Sequence, residues 1–246
     1  MDFKVLGPLQ VRSAAGGRIP LTSDAQRRLV SVLIMHADAS VRSEELEEVL
    51  HLSRSALRTS VCRLRRVLRD DVVTTEPPGY AIHGDHIDVD RFERCLALAR
   101  AAVDDPRRHH QVLEEALALW RGEPYAEFAD EPWAACEVQR LTELHCGAIE
   151  DIVELELHAA DWSNCVARLL PLIDEQPFRD RPRGLLMRAL AGAGRQADAL
   201  RAFAAYRSFL RDESGTLPSP ELVALDRAIA RTGGLSGSPT DDLLLR

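Results

Sequence analysis

The sequence predicts an α+β N-terminal module followed by an all-α helical array. Three observations predict this division. Short β-like runs bounded by Gly and Pro occur only before residue 90. Three amphipathic stretches lie between those runs. After Asp90 every apolar pattern has helical spacing.

The first 21 residues read as short strands. Phe3-Lys4-Val5-Leu6 is followed by Gly7-Pro8 and then Leu9-Gln10-Val11. Ala14-Ala15-Gly16-Gly17 makes a turn, and Arg18-Ile19-Pro20-Leu21 returns. Such a small sheet needs a helical layer to cover it. Ser23 or Asp24 can cap a first helix carrying Leu29, Val32, Leu33 and Met35, with Arg27 and Arg28 in its first turn. Ser43 can cap a second helix through about Leu50. A third spans Ser53 to Arg69 after a very short connection. A hairpin follows: Val72 to Thr75, a turn at Glu76-Pro77-Pro78-Gly79, and Tyr80 to Ile82. Ile87-Asp88-Val89 reads as one more strand. This order is that of a winged helix-turn-helix with an N-terminal sheet.

Beyond Asp90 the expected helices are Arg91–Val103, Gln111–Trp120, Pro132–His158, Trp162–Gln176, Pro182–Ala193, Gln196–Asp212 and Pro220–Thr232. His109-His110 reads as a loop pair. A shift of 34 residues sets Cys165 and Leu169 on Ala199 and Phe203, the period of a tetratricopeptide (TPR) repeat. Trp120, Trp133 and Trp162 read as core anchors between helix pairs, the alternative being a groove for a peptide or small molecule. The expected organisation is residues 1–90, a winged-helix DNA-binding domain, then 91–232, an all-α TPR-like helical domain, then a disordered tail, 233–246.

The third amphipathic stretch, SRSALRTSVCRLRRVLR, carries six arginines and no acidic residue, in a chain of net charge −8. At about 100° per residue, Leu57, Val61, Leu64 and Leu68 form one apolar stripe. The far side carries Ser55, Thr59, Cys62, Arg63 and Arg66, with Arg58 and Arg69 beside them. Arginine pairs bidentately with guanine edges, and small polar side chains allow close approach in a major groove. Arg58, Thr59, Cys62, Arg63 and Arg66 are therefore the candidates for facing bases. Arg54, Arg65 and Arg69 flank that face and suit phosphates. Arg27 and Arg28, and Thr74, Thr75 and Tyr80 in the wing, are further candidates for backbone contact. The competing reading is a solvated basic face. Cys62 can be a small filler or a redox sensor.

Residues 1–95 hold 14 basic and 14 acidic residues, whereas 96–246 hold 17 and 25. The second part is a poor polyanion binder and suits protein partners. All basic residues except Lys4 are arginine, so arginine abundance says less than its placement. Five cysteines without CxxC spacing suit reduced thiols, not disulfides or a metal site. No apolar run approaches a membrane span and no signal peptide is recognisable, so a cytoplasmic protein is expected. No HExxH, GxSxG or P-loop pattern occurs, and nothing points to an enzyme, a cofactor or a metal.

The segments MDFKVLGPLQV, SALRTSVCRLRRVL, EPPGYAI, ALALWRGEPYAEFADEPWAACEVQRL and GRQADALRAFAAYRSFLRDESGTLPSPEL together resemble the Streptomyces antibiotic regulatory protein family, SARP. The resemblance covers residues 2 to 232. It implies an OmpR-type winged helix followed by a bacterial transcriptional activation domain (BTAD) with TPR-like helices. It further implies activation of a secondary-metabolite gene cluster. The partners implied are double-stranded DNA with tandem direct repeats near the −35 element and RNA polymerase holoenzyme, with self-association on DNA. Two departures matter. Only His51-Leu52-Ser53-Arg54 joins the second and third helices, where the family has a longer loop implicated in touching polymerase. Glu76 sits in the wing where a basic residue would favour phosphate. The alternative reading is therefore a non-activating module that competes for DNA or binds another regulator through its helical part.

Overall fold

The computed structural model describes residues 1–232 apart from Asp38, Asp70 and Asp85. The expected tail, 233–246, lies outside the described residues. The chain forms two compact units, Met1–His145 and Cys146–Arg246.

The first unit opens with β1 (Asp2–Lys4), β2 (Gln10–Arg12) and β3 (Arg18–Ile19). These pair antiparallel, with Phe3 opposite Val11 and Val11 opposite Ile19. A fourth strand, β7 (His86–Ile87), joins β1 in parallel, Phe3 opposite Ile87. Phe3, Val11 and Ile87 thus share one face and are buried. Two helices, α1 (Asp24–Met35) and α2 (Ser43–Val49), flank a two-residue strand, β4 (Val41–Arg42). Then come α3 (Arg54–Leu68), β5 (Val73–Glu76) and β6 (Gly79–Ile82). The second sheet has the order β4-β6-β5, with Val41 and Thr75 both opposite Tyr80. A two-residue strand carries too little alternation to be read from sequence, and β4 was not expected. Its position is set by Gly79, where a Cβ would lie 1.7 Å from the Val41 carbonyl oxygen. Only glycine lets the two backbones approach so closely.

Two expectations at helix starts are corrected. Ser43 is the first residue of α2, not its cap, and its hydroxyl donates to the Pro78 carbonyl instead. The Ile87-Asp88-Val89 strand ends at Ile87, and α4 (Asp88–Ala101) begins at once. The cause is non-local. The Asp88 carboxylate accepts from the Val5 and Leu6 amides at 2.8 and 3.1 Å, turning the chain back over β1. Burial pushes the Asp88 carboxyl above its usual value, against those hydrogen bonds and the nearby Arg121 guanidinium. His109 and His110 are not a loop pair; they lie in α5 (Pro106–Leu117), which Asp105 caps through the Arg108 amide. Leu98 of α4 is 54% exposed.

The segment after α5 returns to the N-terminal strands. Arg121 N donates to Leu6 O and Tyr125 N to Val5 O, both at 2.8 Å. The long helix α6 (Pro132–His158) spans the boundary between the units.

In the second unit, α7 (Trp162–Glu175), α8 (Asp180–Gly192), α9 (Gln196–Ser214) and α10 (Pro220–Thr232) pack in sequence order. The 34-residue correspondence holds in burial: Cys165, Leu169, Ala199 and Phe203 are all core. The three tryptophans are half-buried rather than core. Trp162 lies over Gly192, where a Cβ would meet its ring at 2.7 Å. Buried carboxylates of α6 are matched by arginines: Glu150 holds Arg179 at 2.5 Å and Arg181 at 3.1 Å, and Glu156 holds Arg168 at 2.8 Å. No described helix is long and apolar enough to cross a membrane.

Candidate nucleic-acid interface

The candidate site is built on α3. Ser53 caps it, its hydroxyl accepting from the Ala56 amide at 3.3 Å. Leu57, Val61, Leu64 and Leu68 are buried as a single stripe. Burying four such side chains fixes the rotation of the helix, because any other rotation would expose them to water. The opposite face is thereby committed to solvent. Ser55, Arg58, Thr59, Cys62, Arg63 and Arg66 are all exposed.

The arginines of this region fall into two groups. Among the described residues, Arg58, Arg63 and Arg66 have no carboxylate within ion-pair distance and no hydrogen-bonded partner. The others are engaged. Arg65 Nε donates to Val73 O at 2.7 Å and Nη2 to Thr75 Oγ1 at 2.8 Å. Arg54 lies 3.9 Å from half-buried Glu47 and 4.0 Å from exposed Glu44, and Arg69 lies 3.7 Å from exposed Asp71, all loose pairs. On α1, Arg27 pairs with Glu127. Arg28 pairs with Glu131 at 2.6 Å, its guanidinium 5.0 Å over the Phe128 ring. Unpaired guanidinium groups gathered on one helix face are an electrostatic arrangement that a polyanion satisfies.

Thr59 Oγ1 donates to the Ser55 carbonyl at 2.9 Å, and the residue is exposed. The Cys62 thiol is exposed and free, on the same face. A cleft of about 280 Å³ opens between this helix and the hairpin, lined by Arg54, Arg58, Thr75, Pro77, Pro78 and Tyr80 among others. Tyr80, within β6, is only 9% exposed. Thr74 Oγ1 donates to Glu76 Oε1 at 2.8 Å, and His83 Nε2 lies 2.9 Å from the same oxygen. The Thr74 hydroxyl and then His83 hold the Glu76 carboxyl below its usual value. The acidic residue in the wing is thus engaged by its own strand and its neighbour.

The structure therefore gathers Arg58, Thr59, Cys62, Arg63 and Arg66 on one open face, with Arg54 and Thr75 at the adjoining cleft. Arg27 and Arg28 have carboxylate partners in the chain itself. Sequence reasoning missed the two contacts of Arg65. The available signal was its spacing: Arg65 follows buried Val61 by four residues, at the border of the apolar stripe.

Residues 87–230 match the family model of the bacterial transcriptional activator domain. The chain is 32% identical to the regulatory protein AfsR of Streptomyces griseus, over 98% of this chain and 26% of AfsR. It is 34% identical to AfsR of Streptomyces coelicolor, over 93% of this chain and 24% of that protein. The chain thus spans about a quarter of the length of these two relatives. Among solved structures it resembles Mycobacterium tuberculosis EmbR, described in complex with a low-affinity phosphopeptide. That match has a TM-score of 0.83 and 27% identity, covering 94% of this chain and 65% of EmbR.

Proposed function

The chain belongs to the bacterial transcriptional activator domain family, within the SARP regulators, and on that basis we propose that it is a sequence-specific DNA-binding transcriptional activator. In this reading residues 1–90 act as an OmpR-type winged helix and 91–232 as a TPR-like protein-binding domain. Copies bind tandem direct repeats near the −35 element of a secondary-metabolite gene cluster, associate on the DNA and recruit RNA polymerase. Arg58, Thr59, Cys62, Arg63 and Arg66 face base edges, and Arg54 and Arg69 reach phosphates at either end of α3.

The observation that carries this reading is that Arg58, Arg63 and Arg66 are unpaired among the described residues, beside arginines that the fold engages elsewhere. Arg27, Arg28 and Arg65 are held by close partners, whereas Arg54 and Arg69 have only loose ones at 3.7–4.0 Å. Arg58, Arg63 and Arg66, unpaired among the described residues, have charge-assisted hydrogen bonds left to offer.

Fluorescence anisotropy over a salt series tests it, with wild type, Arg66→Ala and a duplex with scrambled repeats. Repeat-dependent binding that weakens in the variant by about 1–3 kcal/mol is the expected result. Weak binding, indifferent to sequence and to Arg66, would return α3 to a solvated basic face.

A second reading keeps DNA binding but omits polymerase contact. It rests on the connection between α2 and α3, only residues 50–53. Transcription with purified polymerase and a repeat-bearing promoter separates the two. Activation supports recruitment; occupancy without activation supports a competitor for DNA.

A further inference from the structure

We propose that Arg65 is a positioning residue, which sets the hairpin against the reading face of α3 and does not itself touch DNA. The inference rests on the DNA-binding reading above.

Among the described residues, β5 is the outer strand of its sheet, since the order is β4-β6-β5. The outward carbonyl and hydroxyl groups of an edge strand need partners other than a neighbouring strand. Arg65 supplies them. Its Nε reaches Val73 O and its Nη2 reaches Thr75 Oγ1, two residues further along the same edge. A guanidinium is a planar fork with donors fixed relative to one another, so satisfying both acceptors leaves the strand little freedom to slide or swing. Buried Leu64 and Leu68 on either side hold the Arg65 backbone in place.

What this fixes is the wall of the cleft. Thr75 lines it on the hairpin side, and Arg54 and Arg58 line it from α3. Hence the distance from the base-facing arginines to the hairpin tip depends on the Arg65 fork. A lysine has the charge but not the fork, and restores only part of the constraint.

The test uses the full chain as wild type, Arg65→Ala, Arg65→Lys and Thr75→Ala. In hydrogen–deuterium exchange without DNA, Arg65→Ala and Thr75→Ala should speed exchange in the hairpin while the first turns of α3 keep their protection. Unchanged hairpin exchange in both variants overturns the strut. In anisotropy, each protein meets a long repeat duplex and duplexes shortened at one end or the other by about half a helical turn. Shortening at the end reached by the hairpin should weaken wild type. Arg65→Ala should lose about tenfold on the long duplex, little more on that shortened one, and keep the wild-type salt slope. Arg65→Lys should recover part of the loss.

A salt slope lower by about one, with equal loss on every duplex, would make Arg65 a phosphate contact and overturn the proposal. Equal loss on all duplexes with the slope unchanged would make it structural only, and also overturns it. Wild type that ignores sequence would sink the DNA reading and with it the positioning role. The exchange result still decides separately whether the strut exists.

Discussion

The guanidinium of Arg121 stands 3.3 Å from the buried carboxylate of Asp88, across 33 residues of chain. The same arginine donates to Pro8 O at 3.0 Å, and the same aspartate accepts the Val5 and Leu6 amides. One ion pair thus joins the first strand, the start of α4 and the segment that follows α5. Asp88→Ala leaves two amides without their acceptor and the half-buried Arg121 guanidinium without its carboxylate, with only Pro8 O remaining. The expected loss of stability is about 3–5 kcal/mol. Arg121→Ala leaves the aspartate its two amides and should cost less, about 1–3 kcal/mol. Urea unfolding followed by tryptophan fluorescence measures both, and equal losses would contradict the ranking.

Gly79 has no room for a side chain, because a Cβ there would overlap the Val41 carbonyl. Gly79→Ala must part β4 from β6 and shift the hairpin tip. A loss of about 1–3 kcal/mol is expected, with weaker DNA binding in proportion to the displaced wing. A variant with wild-type melting temperature and wild-type hairpin amide exchange would show that the close approach is not obligatory.

His51 occupies a left-handed conformation, φ 52°, at the end of α2. Leu52 N bonds Glu47 O at 3.0 Å and His51 N bonds Glu48 O at 3.2 Å, the paired bonds of a helix stop that glycine usually provides. The four-residue connection to α3 leaves the chain no longer route. His51→Gly should therefore raise stability by about 1 kcal/mol. A melting temperature that falls would mean the imidazole contributes a contact that outweighs its backbone strain.

His145 stacks on Trp120 with ring centroids 4.0 Å apart and planes 1° from parallel. Burial pulls its pKa down to about 4. In an unfolded chain the value is about 6.5. Between these values the unfolded state holds the extra proton, so stability falls as pH falls from about 6.5 towards 4. The full difference is at most about 3 kcal/mol. Above about 7 both states are neutral and the effect vanishes. His145→Gln should flatten this part of the profile. A melting curve series from pH 4 to 7.5 checks it; equal slopes in both proteins would assign the acid sensitivity to other groups.

The long helices were legible because their signals are local. Pro132 and Pro220 open α6 and α10 where the sequence places them, and the Leu57-Val61-Leu64-Leu68 stripe orients α3. Periodicity needs only neighbours along one helix, so it can be read without knowing the rest of the fold. The open face of α3 follows from the same stripe by exclusion, and five of the named side chains are exposed together on it.

What the sequence by itself determined is therefore that these long segments are helical and that α3 turns its Leu57-Val61-Leu64-Leu68 face inward. Tertiary structure alone decided the strand β4, the start of α4 at Asp88, and which arginines are paired. Arg27 meets Glu127 and Arg28 meets Glu131 only because the chain returns after about a hundred residues. Arg65 meets Val73 only because β5 lies at the sheet edge. A charged side chain looks the same in sequence whether solvated, paired or open to a ligand. Its state depends on the carboxylates and carbonyls that folding brings within a few ångströms, and that proximity has no local signature.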